Sequence, residues 1–169
     1  MKKDRLDPIV WALTCKKEKV PDEKYVVLDE QIIPMIEALE TLEETDKYGR
    51  TLLMYAVIEE RNRIAEYLIS HGAQINRQDK NGFSALHFAA QTGDVEIIRM
   101  LLQSGAAVNE KECFGNSPIM RCSGNVSKEA VALFIQYGAD PLLKNNYGVC
   151  ALDIYAARDE IMDILKNAV

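Results

Sequence analysis

Four cysteines and two histidines are the residues of this 169-residue chain best suited to metal or nucleophilic chemistry. Cys15, Cys113, Cys122 and Cys150 form no CxxC pair, and no histidine stands near them at zinc spacing. They read as reduced thiols of a cytoplasmic protein rather than as a metal site or a disulfide framework. His71 and His87 each lack a second catalytic group at a recognisable spacing. No P-loop, GxGxxG, HExxH or GxSxG pattern occurs. The paired acids Glu43-Glu44 and Glu59-Glu60 read as helix surface, because nothing near them offers a nucleophile or a partner acid. The chain is therefore predicted to be no enzyme, with no catalytic residue, no cofactor and no metal.

Its charge narrows the partners. The net charge is −6, with a pI near 5.0. That disfavours nucleic acid, whose phosphates demand a basic face. Residues 1–45 hold seven Lys+Arg against eleven Asp+Glu, whereas residues 46–144 hold eleven of each. The acidity thus sits largely in the N-terminal segment, and the middle of the chain is neutral by count. The N-terminus is charged with no apolar run behind it, so no signal peptide is expected, and no stretch approaches the length of a membrane span.

The elements that would position any binding residues announce themselves by a period. Gly49, Gly82, Gly115 and Gly148 are 33 apart, as are Gly72, Gly105 and Gly138, and Leu53, Leu86, Ile119 and Leu152 keep step. Asp46–Gly49, Asp79–Gly82, Glu112–Gly115 and Asn145–Gly148 read as tight turns in which glycine supplies the positive φ. Two residues on, Thr51, Ser84 and Ser117 read as helix caps, with Cys150 in the corresponding place and Pro118 at a first helical position. Ala56 and Ala89-Ala90 are small residues of an inner helix that lets its neighbour approach closely, and Cys122 takes the same place. Ile64, Leu68 and Ile69, then Ile97, Leu101 and Leu102, then Ala130, Phe134 and Ile135 mark the buried face of a second, outer helix. Gly72, Gly105 and Gly138 then end that helix.

The flanks follow the same plan. Asp7-Pro8 opens a helix like an inner one, and Ile32, Ile33, Ile36, Leu39 and Leu42 predict a second helix over about 30–44, with Pro34 near its first turn or at a kink. Lys16–Lys24 reads as a charged loop. Asp159–Asn167 reads as a shortened outer helix closing the stack.

A 33-residue period is that of ankyrin repeats, and Asp79–Asn109 resembles the ankyrin consensus almost position by position. The resemblance spans 46–169. It implies an all-α solenoid of stacked antiparallel helix pairs with β-turn fingers. As a single domain over 1–169, this divides into a degenerate capping repeat over 1–45, repeats over 46–78, 79–111 and 112–144, and a truncated capping repeat over 145–169. His87 takes the place of the family's Thr-Pro-Leu-His histidine and is implied to be structural. The third repeat departs most, with Met120 for the histidine and Ser123–Ser127 in place of the usual inter-helix residues, so its inner helix is expected to end early.

The resemblance also implies where a partner would sit: the turn tips and the exposed sites of the inner helices, which together line a concave groove. Onto this sequence it maps Tyr48 and Arg50, Phe83 and Phe88, Phe114, Arg121 and Asn125, and Tyr147 as partner-binding residues, with Ile58, Glu59, Gln91, Thr92 and Ile154 behind them. Every turn carries an aromatic, and Tyr48 and Phe114 are the favoured tips. The expected partner is another protein, bound by a chain that is monomeric when free, with no nucleic acid and no membrane. The chain resembles, more weakly, bacterial ankyrin immunity proteins that neutralise a toxin. A regulatory adaptor or scaffold, and an inhibitory subunit of an endogenous enzyme, are the alternative roles. The acidic segment 29–44 is the rival site for a basic partner.

Overall fold

The computed structural model describes residues 7–14, 28–122 and 127–168, and among these it places ten α-helices and no strand. Four inner helices, α3 (Leu52–Ile58), α5 (Ala85–Thr92), α7 (Pro118–Arg121) and α9 (Ala151–Ile154), pack in succession against one another. Four outer helices, α4 (Asn62–Ser70), α6 (Val95–Gln103), α8 (Lys128–Gln136) and α10 (Asp159–Lys166), form a second layer. At the N-terminal end α1 (Asp7–Thr14) leans on α3, and α2 (Asp29–Glu37) on α4. One hydrophobic cluster runs between the layers from Ile9 to Leu165.

The inner helices begin where the caps predict. Thr51 accepts the Met54 N–H at 3.3 Å, and Pro118 opens α7 behind Ser117. Ser84 differs in detail: its hydroxyl lies 2.9 Å from His87 Nδ1, and its own N–H donates to that nitrogen at 3.1 Å. Because a backbone N–H can only donate, His87 Nδ1 must be the acceptor, and the proton sits on Nε2, which points at the Asn116 carbonyl 3.3 Å away. His87 is fully buried, and burial holds its pKa below the ordinary histidine value. A neutral imidazole thus ties the start of α5 to the next turn.

The outer helices are capped and stopped locally. Asp94 accepts the Glu96 and Ile97 N–H groups, and Ser127 that of Ala130. Gly-Ala pairs close the C-termini of α4, α6 and α8. Gly72 holds φ at 86°, which lets Ala73 N–H reach the Leu68 carbonyl (3.0 Å) while Gly72 N–H bonds Ile69 (3.1 Å). That is the Schellman pattern, open to glycine without strain. Ala106 and Ala139 repeat it. Leu68, Leu101 and Phe134, whose carbonyls are capped in this way, are also fully buried. Truncating such a leucine to alanine costs roughly 2–5 kcal/mol.

Helix α2 corrects the sequence reading: it ends at Glu37, not near residue 44. Pro34 lies inside it, past the first turn, and removes one helical hydrogen bond. Leu39 N–H then tightens onto the Ile36 carbonyl, and the Thr41 hydroxyl takes the Glu43 N–H, a turn that competes with helix. Leu39 and Leu42 still pack on the core, but from a loop. The predicted loop at Lys16–Lys24 and Cys15 lie outside the described residues.

Helix α7 stops after one turn, as expected of the third repeat. Its last carbonyls are held from the next repeat: the Tyr155 hydroxyl lies 2.8 Å from the Ile119 carbonyl and 2.6 Å from that of Cys122, sharing its hydrogen between them. No helix among the described residues is long and apolar enough to cross a membrane.

Candidate protein-binding face

The turns are built around an acid or amide pointing inward. Asp46 Oδ1 accepts the N–H groups of Tyr48 and Arg50, and Asp79 Oδ1 those of Asn81 and Phe83. Glu112 serves Phe114 and Asn116, and Asn145 serves Tyr147 and Val149. Successive turns are then laced by main-chain bonds, Lys80 N–H to Tyr48, Cys113 N–H to Asn81 and Asn146 N–H to Phe114, at 2.8 to 3.1 Å. Burial alone would push the Glu112 carboxyl up. The hydrogen bonds from Phe114 and Asn116, and the Arg121 guanidinium 3.1 Å away, hold it below its usual range.

With the acids turned in, the aromatic tips face out. Tyr48, Phe114 and Tyr147 are 51%, 49% and 72% exposed. Phe83 is half-buried, its ring 5.3 Å from that of Phe88 and 5.7 Å from His87. Phe88 is a correction, since it is only 7% exposed. The Phe83 ring stacks against it and the Arg50 guanidinium lies 5.3 Å from its centre, so little more than an edge reaches solvent. Glu59 is likewise buried. Asn125 lies outside the described residues.

Two arginines complete the face. Arg50 stands between the rings of Tyr48 (5.8 Å) and Phe88 (5.3 Å), and pairs with Asp79 at 3.7 Å. Arg121 stands between Phe83 (4.7 Å) and Phe114 (6.0 Å), and pairs with Glu112. A cation over an aromatic ring is held electrostatically and keeps the long side chain in place. Tyr48, Arg50, Phe88, Phe83, Arg121 and Phe114 thus form one continuous strip from the first turn to the third. Among the described residues no ring or cation packs against Tyr147, on the fourth. Beside Arg50, a cleft of about 260 Å³ is lined by Ile58, Phe88, Gln91 and Thr92. These are the inner-helix sites mapped from the sequence, brought together.

A larger cleft of about 490 Å³ lies on the outer layer, between the starts of α8 and α10. It carries no aromatic, and the Lys128–Glu160 ion pair (2.8 Å) bridges its walls. Four acids of the rival segment are engaged within the chain: Asp29 with Arg61, Glu30 with Arg63, Glu37 with the Tyr67 hydroxyl, and Glu43 with Gln74 and Arg77. Their work is to dock α2 and its following loop onto the first outer helix and its loop.

The alternation of arginine and ring was missed in sequence. Arg50 and Phe83 each directly follow a turn glycine, which is the trace it leaves. Nor was Tyr155 anticipated, although Ala56, Ala89, Cys122 and Tyr155 are 33 apart and only the last is large. Among the described residues no group of three or more His, Cys, Asp and Glu could hold a metal ion.

No curated protein matches the chain. A family model, ankyrin repeats in three copies, matches residues 27–112 and 86–168. Period, paired helix layers, laced turns and this match agree: the chain belongs to the ankyrin-repeat family, whose repeats bind other proteins.

Proposed function

We propose that this chain is a non-enzymatic protein-binding module that grips its partner through the turn tips and the inner-helix face, a concave groove by family likeness. The observation that carries the reading is the strip of rings and arginines from Tyr48 to Phe114. Aromatic and arginine side chains dominate interface hot spots, and here contacts with one another already hold them in place, which lowers the entropy lost on binding. Inhibitor, antidote and adaptor are all uses of such a face. Cys113, Cys122 and Cys150 are free thiols, which supports work in a reducing, cytoplasmic compartment. We take the chain to act as one domain, with the repeats over 46–144 as its gripping part and the flanks as caps.

The test is to capture the partner and map the contact. Tyr48→Ala and Phe114→Ala should each weaken binding by about 2 kcal/mol without moving the melting point. Glu66→Ala and Arg99→Ala, on the outer layer, should leave affinity unchanged. If the outer-layer variants fail and the ring variants bind normally, the face is assigned to the wrong side.

A further inference from the structure

The neutral charge count of the repeats conceals a radial separation. Every acid of the first three turns points inward: Asp46, Asp79 and Glu112 each accept two or more turn hydrogen bonds, and Asp79 and Glu112 are buried. The cations of the turns and of α7 point outward. Lys47 and Lys80 are exposed, and Arg50 and Arg121 lie on the rings with their side chains 33% and 23% open. A partner in contact with this face meets the cations, because the nearest charge dominates where screening is short-ranged. The Nε groups of Arg50 and Arg121 are buried, and Arg50 Nε faces Asp79 at 3.7 Å. An incoming carboxylate therefore meets the exposed remainder of each arginine side chain.

The spacing selects the shape of the partner. Arg50 to Phe88, Phe88 to Phe83 and Phe83 to Arg121 are successive contacts of 5.3, 5.3 and 4.7 Å. An extended peptide rises about 3.3 Å per residue and turns alternate side chains to one side. Residues i and i+4 of such a strand, about 13 Å apart, can reach the two arginines, and residue i+2 then lies between the Phe88 and Phe83 rings.

Resting on the protein-binding reading above, we propose that the partner presents an extended acidic segment to this face, with carboxylates four residues apart flanking an apolar side chain. An acidic chain thus binds an acidic segment at this face, because the acids of its first three turns are tied inward.

The probe is a random linear peptide library panned on the immobilised protein, with the enriched sequences resynthesised and titrated. The expected result is enrichment of Asp and Glu at i and i+4 around an apolar residue, with affinity that falls as salt rises. Arg50→Gln with Arg121→Gln should weaken those peptides about tenfold or more. Losing Arg121 leaves Glu112 buried without its cation, so Lys47→Glu with Lys80→Glu serves as a second variant confined to exposed positions. It should weaken the acidic peptides as well and leave the melting point in place. Enrichment of basic or uncharged sequences, no enrichment at all, or acidic peptides indifferent to both variant pairs would overturn the proposal. Uncharged sequences that lose binding in Tyr48→Ala and Phe114→Ala would overturn it while leaving the protein-binding face standing. Peptides indifferent to those ring variants too would remove the face itself.

Discussion

Replacing Gly82 by alanine adds two costs, of which the same change at Gly148 incurs one. Both glycines hold φ in the left-handed region, at 80° and 77°, where an L side chain is strained by roughly 1–2 kcal/mol. At Gly148 an added Cβ meets nothing within 4 Å, so strain is the whole effect. At Gly82 the Cβ would stand 3.0 Å from Glu112 Cα and 3.2 Å from Cys113 N. Those atoms are main chain of the next turn and yield only if that turn moves. The movement loosens the 2.8 Å bond from Cys113 N–H to the Asn81 carbonyl, worth about 1 kcal/mol net. Gly82→Ala is therefore expected to cost about 2–3 kcal/mol and Gly148→Ala about 1–2 kcal/mol. At roughly 2–4 °C per kcal/mol for a chain of this size, the two Tm values should part by a few degrees in melts followed by far-UV circular dichroism. Amide exchange at Cys113 should quicken in Gly82→Ala and stay put in Gly148→Ala. Equal melting points together with unchanged Cys113 protection would refute the lacing of the turns.

Three further outcomes follow from buried groups. His87 is held neutral by burial, so the unfolded chain takes up its proton first as pH falls. The stability it contributes is complete above about pH 6.5 and declines as acid is added below that. His87→Gln should flatten this part of the urea-midpoint profile, and an unaltered slope would contradict a His87 held neutral in the fold. Tyr155→Phe leaves the Ile119 and Cys122 carbonyls without their donor and should cost about 1–3 kcal/mol, read by urea titration; a wild-type midpoint would mean the hydroxyl holds nothing. A thiol reagent should label Cys113 first among the three described cysteines, since it alone is exposed. Cys122, its thiol pushed up to about 12 by burial, should label only on unfolding, and native-state labelling of Cys122 at the Cys113 rate would refute its placement.

The backbone was legible because it repeats. Spacings of 33 in glycine and leucine put the inner helices at Leu52, Ala85, Pro118 and Ala151, each one residue past its cap. The shortness of α7 was legible from its weak helix formers. What was hidden depends on contacts between residues about a repeat apart. Phe88 reads as an exposed inner-helix site until Arg50, from the previous turn, closes over it. The acids of segment 29–44 read as a patch until Arg61, Arg63 and Arg77 are placed against them. The length of α2 was misjudged for a different reason: Leu39 and Leu42 keep helical spacing while standing in a turn, since a buried loop must satisfy the same core. Periodicity reports which side of the chain is buried; it does not report which ring or charge from a neighbouring repeat does the burying.

The Tyr155 hydroxyl has a consequence for how the protein is made. A single helical turn such as Pro118–Arg121 does not persist alone, because nucleation is unfavourable and its terminal carbonyls lack partners. Its partner arrives 33 residues after Cys122. At about 5–20 residues per second of synthesis, the ribosome holds that stretch unclosed for about 2–7 s while the repeats before it can already dock. The nascent chain therefore carries an open seam at its third repeat, with the Ile119 and Cys122 carbonyls still without their donor. That interval is when a chaperone, or a misdirected neighbouring chain, has access to it.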